Sequence, residues 1–348
     1  MGAVDARVRW ARLLSLLGVL FTLTVVLLGV WTRLVDAGLG CPDWPGCYGQ
    51  LVVPDNSVAL AHSPGVPLQA DKAWMEMIHR YVATGLGILV LTLTLLAWRM
   101  RRLNRYVLRT SLVLLAMIVL QGAFGALTVT LRLWPQVVTL HLLGGLSVML
   151  LFLWLHLRWR QVGRVSTPKQ LVRPGGLWLL AIILLIGQLA LGGWTSSNYA
   201  GLACQGVPTC NGQWWPAMNW AEGLNLTQTI GPSYLYGQLH GEARTAIHMA
   251  HRLGAVALGV VLLLLAWRHR HRRRLRPYLA MLLGGYGLQL ALGIANVLLW
   301  LPLGLALAHT AGAALLVLAM TLTIWRVVGL SDGLAHNEQG MKKEWVHA

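Results

Sequence analysis

Histidine is the residue type here whose number and spacing point to chemistry. The chain holds twelve. Seven have ordinary addresses: His62 and His240 in long polar connections, His156, His269 and His271 at the basic ends of apolar runs, and His336 and His347 in the tail. The other five, His79, His141, His248, His251 and His309, lie in or beside apolar runs. One such histidine can simply bond one helix to another. Four of them form a pattern instead. His141 follows Pro135 by six residues and His309 follows Pro302 by seven. Both are therefore about 10 Å in from a helix start, at 1.5 Å per residue. His79 and His251 are expected within the first turn or two of helices that begin on the same side. Two histidines at matched depth on neighbouring helices can hold one metal from opposite sides, and imidazole is a good axial ligand for haem iron. The pairs are His79 with His141 and His251 with His309. All four lie near one face, so the two sites are side by side. That geometry is wrong for carrying electrons across a bilayer. No Cys-x-x-Cys-His occurs, so no covalent haem attachment is expected.

The surrounding residues repeat as well. Gly29-Val30-Trp31-Thr32 and Ala37-Gly38-Leu39-Gly40-Cys41 read against Gly192-Gly193-Trp194-Thr195 and Ala200-Gly201-Leu202-Ala203-Cys204 at an offset of 163 residues. Met77-Ile78-His79-Arg80 reads against Met249-Ala250-His251-Arg252. Leu120-Gln121, Gly125 and His141 read against Leu288-Gln289, Gly293 and His309 at an offset of 168 residues. The chain is an internal duplication. Only eleven residues are acidic. Glu76 stands out, one helical turn before His79 and on the same face. It is either a helix-start carboxylate complementing the dipole or a carboxylate aimed at whatever His79 binds. The repeat places His248 at its position in the other half. One duplicated site therefore differs from the other, as expected of one catalytic and one auxiliary site. Arg80 and Arg252 follow the matched histidines. They either snorkel to the interface or pair with haem propionates.

Cys41 and Cys47 are separated by five residues, as are Cys204 and Cys210. Both pairs fall in long connections on the outer side, an oxidising setting, which favours one disulfide per loop. Zinc held by four converging thiolates is the competing reading. A stapled loop can act as a lid over the nearby site. The spacing leaves open whether Cys41 and Cys47 are structural or redox-active.

The elements that position these residues cross a membrane. The chain has 348 residues, 56% hydrophobic and only 11% charged, far from the roughly one quarter charged of soluble chains. Eight apolar runs are each long enough to span a bilayer, which takes about 20 residues: 12–32, 77–98, 110–130, 137–157, 175–195, 247–267, 278–299 and 303–325. The first is too long for a cleaved signal peptide and lacks a small-residue cleavage site after it. The net charge of +17 suggests nucleic acid only until its placement is read. Arg7, Arg9 and Arg12, then Arg99 to Arg105, then Arg158 to Lys169, then Arg268 to Arg276, then Arg326, Lys342 and Lys343 occupy alternate connections. The others hold only Arg33, Lys72, Arg132 and Arg244. The positive-inside rule then places both termini in the cytoplasm and the loops 33–75 and 197–245 outside, with no nucleic-acid partner. The expected fold is an all-α integral membrane protein, eight transmembrane helices forming two tandem, pseudo-symmetric four-helix bundles. The halves are 1–165 and 166–348, in parallel orientation, joined by the basic stretch 158–173.

Two four-helix halves, Glu76 to Arg80, His141, His251-Arg252, His309 and the paired cysteines together resemble the haem A synthase family, over all eight spans. The cysteines resemble its disulfide-bearing bacterial branch. The resemblance implies oxidation of the C8 methyl of haem O to formyl, making haem A for terminal oxidases. It implies a resident haem b on His251 and His309, with Arg252 beside it. It implies haem O as substrate on His79 and His141, with Glu76 at the reacting edge and Arg80 beside it. It also implies a bacterial cytoplasmic membrane with the haem sites toward the outer face, lateral entry of haem O from lipid, and haem O synthase and oxidase assembly proteins as partners. A non-catalytic bis-histidine electron-transfer protein and a haem transporter or delivery protein are the competing functions. The second outer loop, with Trp214, Trp215 and Trp220, is longer than the resemblance leads one to expect.

Overall fold

A computed structural model describes residues 2–102, 104–162 and 175–344, with side chains over 6–102, 104–162 and 175–328. The expected boundary between halves at 165/166, with Arg164 and Lys169 of the basic linker, lies outside the described residues, as does His347. The side chains of His336, Lys342 and Lys343 also lie outside them.

Among the described residues ten helices follow one another: α1 Gly2–Leu34, α2 Asn56–His62, α3 Ala70–Arg99, α4 Arg105–Thr130, α5 Pro135–Trp159, α6 Gly176–Ser197, α7 Trp220–Gly223, α8 Gly241–Arg268, α9 Arg276–Leu298 and α10 Leu303–Glu344. Eight of them are long and apolar enough to cross a membrane, and each covers one of the eight expected runs to within one residue. The protein is an all-helical, multi-pass membrane protein. Large apolar side chains such as Leu20, Ile88, Val119, Ile183 and Val256 are exposed along the spans. That suits a solvent of lipid, where the helical backbone already satisfies its own polar groups.

Local chemistry sets several helix ends. The Asn104 side chain accepts from the N–H groups of Tyr106 at 2.9 Å and Val107 at 3.4 Å, capping α4. Pro135 opens α5, where a missing N–H costs nothing. The duplication is written in the backbone too. Left-handed φ angles recur at matched non-glycine positions: Asp36 and Tyr199, Tyr48 and Asn211, Arg132 and Trp300, Leu133 and Leu301. Such residues are uncommon, and four matched pairs mean that the turns were copied along with the helices.

In the first half, α1 packs on α3 and α5, and α4 packs on α3 and α5. Among the described residues the backbones of α3 and α5 do not approach each other, so these two stand at opposite corners. In the second half, α6 packs on α8 and α9 on α10, while α8 and α10 again stand apart. The α8–α9 and α6–α10 contacts are slight. The halves meet through α5 on α6 and α1 on α10. Beneath the histidines, toward the end of each half that carries the basic clusters, lie two apolar cores. One centres on Leu86, Leu93, Met149, Phe152 and Leu155, the other on Leu185, Leu258, Leu262, Leu282 and Met320.

Candidate functional site: two histidine pairs beneath disulfide loops

The diagonal helices carry the histidines. His79 is on α3 and His141 on α5; His251 is on α8 and His309 on α10. Each pair therefore faces inward from opposite corners, and the two rings of a pair are close enough to interact electrostatically. One expectation changes. Helices α3 and α8 begin well before the apolar runs do, at Ala70 and Gly241. His79 and His251 thus sit nine and ten residues in, about 14–15 Å, rather than in the first turn or two. The polar first turns of α3 and α8, with Asp71, Lys72, Glu242 and Arg244, hid these starts from a hydropathy reading.

Each ring lies against a glycine of an adjacent helix. A Cβ at Gly29 on α1 would come within 2.9 Å of His79 Cε1, and one at Gly192 on α6 within 3.3 Å of His251 Cε1. One at Gly125 on α4 would come within 3.7 Å of His141 Cε1, and one at Gly293 on α9 within 3.3 Å of His309 Cε1. One turn deeper, Gln121 fills the notch at Gly144 and Gln289 the notch at Gly312, where a Cβ would overlap the amide. Nδ1 of His79, His141 and His309 is buried with no partner. Buried polar atoms are normally satisfied, so these rings have polar capacity to spare for a bound group. Paired imidazoles on opposite sides of a glycine-lined interior fit a flat macrocycle with an iron at its centre. No group of three or more His, Cys, Asp or Glu occurs among the described residues, so the donors act as pairs.

The loops above are stapled. Cys41–Cys47 and Cys204–Cys210 are both disulfides, with Cα atoms 4.8 and 4.7 Å apart. All four sulfurs are thereby consumed, which closes the zinc reading. The arginines after the histidines hold these loops. Arg80 Nη1 donates to the carbonyls of Pro45, at 3.1 Å, and Gly46. Arg252 donates to the carbonyls of Cys204 at 2.7 Å, Gly206 at 3.0 Å and Thr209 at 3.1 Å. Glu76 is 5% exposed. Its Oε1 pairs with Arg80 Nη2 at 2.5 Å and its Oε2 accepts from the Cys41 N–H at 3.0 Å. His248, at the matching position, does the reverse: its Nδ1–H donates to the Ala200 carbonyl at 3.0 Å.

The long second loop reaches across to the first half. Trp134 Nε1 donates to the Gln228 carbonyl at 3.0 Å, Gln136 Nε2 to Leu226 at 3.1 Å, and the Tyr234 N–H to Arg132 at 2.9 Å. These residues form the turn into α5, above His141. At the loop's base Glu222 accepts from the His240 N–H at 3.0 Å and from His240 Nδ1 at 2.9 Å, and those bonds hold its carboxyl below the usual range. Between the halves, repeat-related residues pair directly. Arg33 donates to the Ser196 carbonyl at 2.6 Å, and Tyr199 donates to Asp36 Oδ1 at 2.7 Å. The local axis of the duplication therefore passes between the C-terminal ends of α1 and α6.

The family model for COX15-CtaA, described as cytochrome oxidase assembly protein, matches residues 12–321. The chain belongs to the COX15-CtaA family. The match spans all four paired histidines, all four cysteines and Glu76. Among its relatives, the Heme A synthase of Shewanella oneidensis is 45% identical over 304 residues, which is 86% of this chain and 91% of that protein. The Heme A synthases of Rhizorhabdus wittichii and Caulobacter vibrioides are 27% and 28% identical, covering 94% and 87% of this chain and 94% and 92% of those proteins. For a COX15-CtaA chain, the residues that sequence reasoning missed are Gly29, Gly125, Gly192 and Gly293 as ring seats, and Gln188 beside His251. The repeat displays the glycines, but only helix packing shows what they face.

Proposed function

We propose that this protein is a haem A synthase, an oxidoreductase that converts haem O to haem A by oxidising the C8 methyl to formyl. The observation that carries this reading is the pair of inward-facing, glycine-seated histidine sets, in a chain of this family. We assign His251 and His309 as the residues that would hold a resident haem b, and His79 and His141 as the seat of the substrate, haem O. The resident haem, when bound, supplies the one-electron iron chemistry that oxidation of a methyl group demands. The chain's own work is positioning. Diagonal helices set the separation of each pair, the glycines fix ring orientation, and the stapled loops exclude water from above. Among the described residues, Glu76 is the one carboxylate at either site. Its place between Arg80, the Cys41 N–H and the turn before His79 supports a charge held at the reacting edge. Arg80 and Arg252 put positive charge over each site, which suits the propionates that a haem carries. The basic clusters support cytoplasmic termini with both sites toward the outer face. A hydrophobic substrate then enters sideways from lipid, and haem O synthase and oxidase assembly proteins are the partners to seek.

The test is extraction of haems from cells that make haem O but have no other source of haem A. Wild-type protein should yield haem A. His79→Ala should yield haem O while the purified protein keeps its resident haem. Purified protein that holds two bis-histidine haems and leaves haem O unchanged would instead be an electron carrier.

A further inference from the structure

Among the four paired histidines, His251 differs in having a side-chain partner. Gln188 on α6 places its Nε2 3.1 Å from His251 Nδ1 and 3.0 Å from the His251 carbonyl. The local reason is a notch. Gln188 lies one turn from Gly192 on the same face of α6 and opposite Gly254, where a Cβ would stand 2.4 Å from Gln188 Oε1. Gly254 is itself one turn beyond His251 on α8. The repeat puts Val25 in place of Gln188 and Val82 in place of Gly254. The first half thus has neither the amide nor the space for it. Two changes that require each other are both present in one half and both absent from the other.

The amide is only half used. Gln188 Oε1 is buried with no partner. An imidazole that gives its Nε2 lone pair to a metal carries its proton on Nδ1, and that N–H needs an acceptor. A half-turn of the terminal torsion, which is soft and nearly two-fold, exchanges the nitrogen and oxygen of a glutamine amide at one place; it gives up the bond to the His251 carbonyl and gains an acceptor for Nδ1–H. We propose that Gln188 is the positioning residue of the resident haem: when His251 binds iron through Nε2, the Gln188 amide turns its oxygen to accept from His251 Nδ1–H. This rests on the assignment of His251 and His309 as ligands. A hydrogen-bonded imidazole is a more basic ligand, so it favours ferric over ferrous iron and holds the haem more tightly. His79 has no side-chain acceptor among the described residues and meets only the Val25 backbone there, and a site whose haem must arrive and leave is better without the extra hold. The amide thereby sorts the two copied sites into one that keeps its haem and one that exchanges it.

The experiment uses the full chain, purified in detergent with its bound haem, and reads the midpoint potential and the rate of haem loss to excess apomyoglobin. Gln188→Val copies the first half. It should keep the bis-imidazole spectrum, raise the potential, and lose haem about ten- to hundredfold faster. A tenfold change in the ferric-to-ferrous preference corresponds to about 59 mV for one electron. Gln188→Glu, which only accepts, should shift the potential the other way and retain haem at least as well as wild type. If Gln188→Val does not accumulate, Gln188→Glu decides the matter alone. Wild-type potential and retention in the variants that accumulate would overturn the proposal and reduce Gln188 to packing against Gly254. A bis-imidazole spectrum missing from wild type, or surviving in His251→Ala, would overturn the ligand assignment beneath it.

Discussion

The two halves agree in what holds the histidines and differ one helical turn away. Both keep the diagonal placement, a glycine under each ring, the left-handed turns and the disulfide loop tied down by an arginine. In the first half the residue one turn before the paired histidine is Glu76, bonded to Arg80 and to the Cys41 N–H. In the second it is His248, bonded to the Ala200 carbonyl. The packing differs too. Phe152 lies where a Cβ at Gly18 would stand, 2.2 Å from its ring, which brings α1 close to α5. The repeat puts Ala181 and Met320 at those positions, and α6 barely touches α10. Duplication preserved the geometry of the histidine pairs, and divergence acted on the groups around them. A site that oxidises needs a charge near the reacting edge. A site that stores a cofactor needs firm ligands.

The largest expected effects come from removing the ligands. His251→Ala or His309→Ala should abolish the low-spin haem b spectrum of the purified protein, because each removes half of one pair. His79→Ala or His141→Ala should leave that spectrum intact and stop haem A formation. If all four substitutions had the same effect on the spectrum, the halves would not divide the labour. Next comes the odd carboxylate. Glu76→Ala should lower haem A yield by about ten- to hundredfold, the usual scale for a group that supports a metal site, with haem O or a partly oxidised haem accumulating. Glu76→Gln keeps the shape and can still accept from Cys41, yet it loses the charge that Arg80 faces. It should be nearly as defective as Ala if charge is what matters. His248→Ala should cost less product than either. Normal haem A from both Glu76 variants, measured in extracted haems, would return Glu76 to a loop anchor.

Much of this was readable before any coordinates. The eight spans, the duplication, the four histidines, the Glu76–His248 difference and the cysteine pairs all lie in one-dimensional patterns. Three things did not. The starts of α3 and α8 are polar, so hydropathy alone set them too late. The contacts of Gly29 with His79 and of Gln188 with His251 join residues on different helices, and periodicity within one helix cannot pair them. The second loop's bonds to Trp134 and Gln136 cross between halves, so no motif records them.

The disulfides come next in size. Replacing both cysteines of a loop by serine should cost about 2 kcal/mol of loop order for so short a closure. The consequence should be unequal. Cys41 donates its N–H to Glu76, so loosening that loop also frees the carboxylate, whereas the other loop is held by Arg252, Thr245 and His248 and touches no buried carboxylate among the described residues. Cys41→Ser/Cys47→Ser should therefore reduce haem A yield more than Cys204→Ser/Cys210→Ser. Mass spectrometry of unreduced wild type should find each pair lighter by two hydrogens, and equal losses of product from the two double variants would remove the link from loop to Glu76.

The smallest effects, and the sharpest comparison, come from adding one methyl group under each ring. Alanine favours helix over glycine by about 1 kcal/mol, so none of the four substitutions should suffer for its backbone, and any loss must come from the ring contact. At Gly29 the new Cβ would sit 2.9 Å from His79, closer than real contacts allow, and the ring or α1 must give way. At Gly192 and Gly293 the approach is 3.3 Å, so His251 and His309 need yield only slightly. At Gly125 it is 3.7 Å, an ordinary contact with His141. The second half therefore seats its two ligands alike, while the first seats His79 tightly and leaves slack at His141. Gly29→Ala should lower haem A yield several-fold with the resident haem spectrum unchanged. Gly192→Ala and Gly293→Ala should shift that spectrum slightly and equally, and Gly125→Ala should match wild type in both readouts. If Gly125→Ala proved as damaging as Gly29→Ala, His141 would be held as closely as His79. The slack in the first half, which would let the reacting haem settle against one fixed ligand, would then be absent.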